Sequence, residues 1–293
     1  MQASALTTIG LPLALAVIML GLGLHLRVED FKRILVQPKA ILVGLVCQVL
    51  LLPTLCFFLA KAFGLAPELA VGLMLLAASP GGITANLYSH LFKGDVALNI
   101  SLTAINSVLA IVAIPVIVNL ALAQFMGGQA YIPLQFQKTL EVIVIVLTPV
   151  VIGMFIHAKF PTFSKRMDKP VKLASSVILA LLVLSIVVSQ WAIIASSFQA
   201  VGTASLVFNL ASMLVGYFVG KLMRLTEAQN RAIAFEIGIH NSTLAIYLAL
   251  VVLKNSTMSI PAAIYSLLMF VTAALFGWWV TRKDAARRLA YTA

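Results

Sequence analysis

The densest run of chemistry-bearing side chains in the sequence is Glu236-Ile-Gly238-Ile-His240-Asn241-Ser242-Thr243, which sets a carboxylate, an imidazole, an amide and two hydroxyls inside a long apolar stretch. An ionisable group at the middle of a bilayer costs on the order of 3 kcal/mol on insertion scales, so such a residue points to a functional site. A salt bridge between helices would be the structural use of Glu236, yet the Lys and Arg residues fall in polar loops or at the ends of apolar stretches. The carboxyl is then either protonated or balanced by a cation, and the cation is the preferred reading. A second unusual run, Ser79-Pro80-Gly81-Gly82, followed by Thr84 and Asn86, interrupts another apolar stretch. It lies roughly 16 Å into that stretch at 1.5 Å per residue, the middle of a bilayer.

Both runs need a membrane around them, and composition supplies it. The chain has 293 residues, 62% of them hydrophobic and 10% charged, with a mean hydropathy of +1.08. Soluble domains carry about 25% charged residues, which excludes a soluble enzyme. Apolar blocks separated by polar or Gly/Pro breaks give nine candidate spans, roughly residues 4–24, 40–63, 69–92, 96–124, 134–158, 173–195, 203–222, 228–253 and 261–280. The charged segment from His25 to Lys39 suits an amphipathic stretch at the membrane surface. Of the 20 Lys and Arg residues, only Lys61, Lys138 and Lys254 fall in loops after even-numbered spans. That asymmetry supports nine spans and places the N-terminus outside and the C-terminus in the cytoplasm of a cell inner membrane. The net charge of +11 is read as this loop bias rather than as a nucleic-acid surface. The N-terminus lacks a basic n-region and cleavage site, so the first block is expected to remain in the mature chain as part of a single transmembrane domain over residues 1–293.

Proline removes a backbone donor and paired glycines tolerate non-helical dihedrals, so the third span should break at Pro80–Gly82. Lipid offers no partner to the freed backbone groups, and irregular backbone survives at that depth only inside protein or beside a watery cavity. The eighth span carries the second interruption, near Gly238–Asn241. Five spans apart, the two discontinuous helices (about 69–92 and 228–253) run antiparallel and can meet at one depth, the sequence pointer to a secondary transporter with inverted-topology repeats. Half-helix N-termini would face an anion, with Gly82, Thr84, Asn241 and Ser242 as its contacts, while unwound carbonyls would face a small cation.

With these residues assembled, the sequence resembles the bile acid:sodium symporter family along nearly its whole length. The resemblance is carried, in order, by Gly21-Leu-Gly-Leu with Asp30-Phe31, Gln48 five residues before Pro53, Ser79-Pro-Gly-Gly82, Asn86, Lys93-Gly-Asp95-Val-Ala-Leu98 and Glu236-Ile-Gly-Ile-His-Asn241. It implies an all-α fold with core and panel domains and two crossing discontinuous helices, in the nine-span form. The implied activity is sodium-coupled import of a small organic anion by alternating access. One implied sodium site uses Asn86, Asn99, Thr103 and Glu236; a second uses Gln48, Glu236, the carbonyls of Ile237 and Ile239, and position 240. The residue types agree, since sodium, a hard cation, wants oxygen ligands. Asn99 and Thr103, at i and i+4, share one helical face.

Three positions depart from the family's usual residues: Ala85 for Ser, Asn99 for Ser or Thr, and His240 for Gln. Imidazole offers nitrogen rather than amide oxygen and titrates near neutrality. The departures point to one-sodium coupling, or to coupling in which His240 takes the second role through a proton. A proton-coupled or sodium-independent carrier of the same fold is the alternative, with a channel or sensor behind it. An intramembrane enzyme is excluded by the lack of GxSG, GxGD or HExxH in any span. Cys47 and Cys56 read as small core residues, Glu141 as interfacial, and Trp191, Trp278 and Trp279 as members of aromatic belts.

Overall fold

A computed structural model describes residues 11–127 and 136–292. Residues 4–10 of the first expected span, and the side chain of Glu141, lie outside what it describes. The described chain is helical, with one isolated β-bridge and no strand. In order, the helices are α1 (Leu11–Gly23), α2 (Val28–Val36), α3 (Pro38–Val46), α4 (Leu52–Ala62), α5 (Pro67–Ala78), α6 (Ile83–Leu91), α7 (Val96–Met126), α8 (Phe136–Lys159), α9 (Pro161–Ser189), α10 (Trp191–Leu222), α11 (Glu227–Gly238), α12 (Ser242–Tyr247) and α13 (Ile260–Thr292). A π-helical turn over Cys47–Leu51 joins α3 to α4, and another over Leu248–Val252 extends α12.

Among the described residues, five helices are long and apolar enough to cross a membrane, and a sixth if α1 and α2, bent by 57°, are one span. The expected third and eighth spans fail that length test because each is divided, into α5 with α6 and α11 with α12, at the positions the Pro/Gly and Gly/His/Asn runs mark. α2 is a separate short helix with Glu29 and Asp30 in its first turn and Arg33 in its last, charges that complement the helix dipole.

Two expected boundaries move. The expected gap at 196–202 is helical, and the turn falls instead at Gln190, where α9 meets α10. Ser196 fell in that expected gap, but its hydroxyl donates back to the Ile193 carbonyl, which lets it sit inside a helix. The polar segment 159–172, expected as a loop, is mostly the first turns of α9, opened by Pro161 at a position where its missing N–H costs nothing.

An order of long helix, left-handed turn residue, broken helix, left-handed turn residue and long helix occurs twice, over residues 38–126 and 191–292. The turn residues are Gly64 (φ +57°) and Lys93 (φ +58°) in the first, Arg224 (φ +56°) and Lys254 (φ +52°) in the second. The first broken helix is buried from Leu69 to Ala78 and the second from Asn230 to Gly238, so the remaining helices wrap both. Large apolar side chains such as Val112, Val151, Leu181 and Phe218 stay exposed on the outer helices, where hydrocarbon is their natural solvent.

α1, α8 and α9 pack on one another. The α1–α8 approach is close enough that a Cβ on Gly153 would stand 2.5 Å from the Leu20 carbonyl oxygen and 2.8 Å from Gly23 Cα. Small residues let transmembrane backbones come this near. Gly153→Leu should therefore separate the pair and cost about 1–3 kcal/mol or more, read as a lower thermal midpoint and a smaller monodisperse fraction after extraction.

Candidate functional site

The two interruptions meet. Gly81 and His240 form an antiparallel bridge, in which the Gly82 N–H donates to Ile239 O (3.2 Å) and the Asn241 N–H to Pro80 O (2.9 Å). Each break thus satisfies backbone groups that the other has freed, as low-dielectric surroundings demand. The open carbonyls at the ends of the first halves are taken by side chains. Gln48 Nε2 donates to Ala77 O (3.2 Å) and Ser79 O (3.1 Å). Asn209 Nδ2 (2.8 Å) and the Tyr265 hydroxyl (2.9 Å) donate to Gly238 O. On the far side of the crossing, Gly82 caps α6 by its backbone, and Asn241 Oδ1 caps α12 by accepting the Leu244 N–H at 3.1 Å.

Glu236 lies one half-turn before α11 ends, with no exposed surface. The Thr103 hydroxyl donates to Glu236 Oε2 at 2.6 Å and Asn106 Nδ2 to Oε1 at 3.4 Å, and the Gly81 N–H also bonds the carboxyl. Every one of these groups donates, so both oxygens act as acceptors. Among the described residues Glu236 has no ion-pair partner; the surface pair Lys221–Glu227 is elsewhere. Arg231, counted in the sequence as a loop charge, is buried, and its guanidinium reaches Phe92 O (3.4 Å) at the end of α6 and Val280 O (3.3 Å) within α13.

Several buried amide oxygens, some of them beside this carboxyl, have nothing to accept. Asn99 Nδ2 donates to Ala232 O (2.7 Å), one turn before Glu236, while its Oδ1 has no partner among the described residues; the same is true of Asn86 Oδ1, Asn106 Oδ1 and Gln48 Oε1. Buried acceptors left unpaired cost about 1–3 kcal/mol each, and a bound cation would relieve that. No group of three or more His, Cys, Asp or Glu comes together among the described residues. The donor set here is amide, hydroxyl and carboxylate oxygen, which suits a hard monovalent cation rather than a transition metal.

The structure brings Asn99, Thr103 and Glu236 together, and it adds Asn106, which the sequence reading missed. Its signal was available: Asn99, Thr103 and Asn106 follow at i, i+4 and i+7, one stripe of α7. The set around Gln48 is differently employed. Its amide nitrogen serves the end of α5, Ile239 O accepts the Gly82 N–H, and His240 Nδ1 lies 3.0 Å from Ser79 O. Asn209 and Tyr265, which hold the end of α11, carry no sequence pattern that sets them apart from ordinary interhelical polar residues.

Beside the crossing lies a cavity of about 620 Å³. Gly82, Thr84, Asn241 and Ser242 all line it, and α1 and α9 add mostly apolar side chains together with Ser175 and Ser176. Among the described residues, none that lines it is Lys, Arg, Asp or Glu.

A model of the Sodium Bile acid symporter family matches residues 12–197. The chain is 30% identical over 277 residues to a probable sodium/metabolite cotransporter, BASS1, chloroplastic, of Arabidopsis thaliana, covering 94% of this chain and 67% of that protein. It is 27% identical over 273 residues to the uncharacterized sodium-dependent transporter YocS of Bacillus subtilis, with coverage of 92% and 82%. To the human ileal sodium/bile acid cotransporter it is 28% identical over 281 residues, with coverage of 93% and 79%.

Proposed function

The chain belongs to the sodium bile acid symporter family, a premise from which we propose that it is a secondary-active carrier importing an organic anion together with sodium across a cell membrane, and not an enzyme. The observation that carries this reading is the buried Glu236 carboxyl, met by three donors and, among the described residues, no basic side chain, beside amide oxygens that have nothing to accept. Glu236, Thr103, Asn99, Asn106 and Asn86 form the sodium site. Sodium there supplies the positive charge the site lacks, and the residues holding it tie α7 and α6 to α11.

The anion occupies the neighbouring cavity, its carboxylate at Gly82, Thr84, Asn241 and Ser242, where α6 and α12 begin. We assign α1, α8 and α9 to the panel and the remaining helices to the core, built from the two repeated units in inverted orientation, nine spans in all. Rocking of panel against core opens the cavity to each side in turn. Sodium and anion raise each other's affinity by the same factor, as linkage requires. One sodium ion is the stoichiometry favoured, because in the set around Gln48 the Ile239 carbonyl already accepts the Gly82 N–H and position 240 offers an imidazole nitrogen in place of an oxygen ligand.

Sodium-dependent thermal stabilisation, with potassium as control, tests the cation site without knowledge of the anion. Asn106→Ala removes a donor to Glu236 and an orphaned acceptor at once. It should weaken the sodium response about 5- to 20-fold in apparent affinity while leaving the fold intact. An unchanged sodium titration in that variant would exclude Asn106 from the site.

A further inference from the structure

The corner where α8 meets α9 carries a surface that the sodium site and the cavity do not use. Residues 159–173, expected as a loop and found mostly helical, hold five Lys or Arg residues and one acid, Asp168. A loop would let such charges reorient, whereas a helix fixes them on a side. Lys165, Arg166 and Lys169, at i, i+1 and i+4, share one side of α9, and all three are exposed. Phe163 and Leu173 stand on that side too, 49% and 67% exposed. The opposite side is committed to α1: the Ser164 hydroxyl donates to Leu24 O at 2.7 Å, and a Cβ on Gly21 would come within 2.4 Å of Val171 Cγ1. His157, near the end of α8, accepts from Arg27 Nε at 3.0 Å, which seats the start of α2 against the same corner. Among the described residues no carboxylate pairs with Lys165, Arg166 or Lys169.

Cations and large apolar side chains exposed together suit neither pure solvent. Hydrocarbon penalises the charges, and water penalises the phenyl and isobutyl groups. Both are met at the boundary of a bilayer, where long cationic side chains reach headgroups and apolar neighbours reach acyl chains. Beyond Leu173 the outward side of α9 stays apolar through Val177 and Leu181, so its basic turns stand where hydrocarbon gives way to headgroups. We propose that this corner is a docking surface for an anionic phospholipid, its phosphate held by Lys165, Arg166 and Lys169 and its acyl chains covering Phe163 and Leu173. The net excess of cations selects a headgroup of net negative charge over a zwitterionic one. A free phosphate ion would leave the apolar half of the surface uncovered. The surface requires only that the chain sits in a membrane, so it stands or falls separately from the sodium site.

The full chain, purified in a neutral detergent, is titrated with dioleoylphosphatidylglycerol, dioleoylphosphatidylcholine and inorganic phosphate, and the shift of the thermal midpoint is read. Each Lys or Arg near an anionic surface strengthens attachment about fivefold, so phosphatidylglycerol should bind about 10- to 100-fold more tightly than phosphatidylcholine. With Lys165→Gln, Arg166→Gln and Lys169→Gln combined, the gap should fall below about threefold. Those side chains are exposed, so the variant should fold. Lys93→Gln, Lys221→Gln and Arg224→Gln combined remove the same charge from exposed positions outside α9 and should keep the gap. Raising the salt from about 0.1 M to 1 M shortens the screening length from about 10 Å to 3 Å and should close most of the gap in the unaltered chain. Binding of neither lipid, equal binding of both, or stabilisation by inorganic phosphate alone overturns the assignment. So does a gap that ignores salt, survives the α9 substitutions, or is lost equally in the control set.

Discussion

Glu236→Gln should abolish the stabilisation of the protein by sodium and, with it, sodium-driven uptake. The substitution keeps the shape of the side chain and leaves Oε1 able to accept from Thr103 or Asn106, so the packing of α11 against α7 is preserved. What disappears is the negative charge in a site with no other acid among its described neighbours. Removing one partner of a buried, hydrogen-bonded charge pair costs roughly 2–5 kcal/mol, which is about 30- to several-thousand-fold in sodium affinity. A normal sodium titration in this variant would refute the cation site, and with it the energetic basis of coupling. Glu236→Ala should behave alike for sodium, with an added loss of stability from the space it leaves.

The second large effect separates two adjacent glycines. A Cβ on Gly81 would lie 2.5 Å from Glu236 Cδ and 2.6 Å from each carboxylate oxygen, where carbon atoms normally approach to about 3.5–4.0 Å. Gly81→Ala must therefore push the carboxyl away by about 1 Å, out of reach of Thr103, or pry the bridge with His240 apart. The expected cost is about 1–3 kcal/mol of stability, together with loss of the sodium response. A Cβ on Gly82 meets nothing within 4 Å, and its φ of −111° is open to any residue. Gly82→Ala should keep both thermal midpoint and sodium response near wild type. If the two substitutions behave alike, the close approach of Gly81 to the carboxyl is not what shapes the site.

The breaks were legible because they are written in backbone chemistry. Pro80 cannot donate, Gly81 and Gly82 bend freely, and polar residues cluster only where something other than lipid will meet them. The antiparallel encounter of the two breaks followed from counting spans, and it is present as the Gly81–His240 bridge. Less legible were the residues that receive the breaks. Gln48, Asn209 and Tyr265 hold carbonyls across tertiary contacts, and a lone amide or hydroxyl in an apolar helix has the same appearance whatever it bonds. Asn106 was discernible as part of a stripe on α7, but its bond to Glu236 is a matter of how α7 rotates against α11. The α9–α10 boundary was misplaced because serine and glycine residues within 196–202 resemble a loop in composition, while a hydroxyl such as that of Ser196 can be satisfied inside a helix.

The paired hydrogen bonds between residues 80–82 and 239–241 have a mechanical consequence. Each strand of the crossing is stitched to the other through its own main chain, so pulling them apart would strand peptide groups far from water. The knot at the centre behaves as a fixed axle. On the proposed carrier reading, any stroke that carries cargo past it has to be made by the helices around it, and residues held on the axle would keep their mutual distances through the cycle.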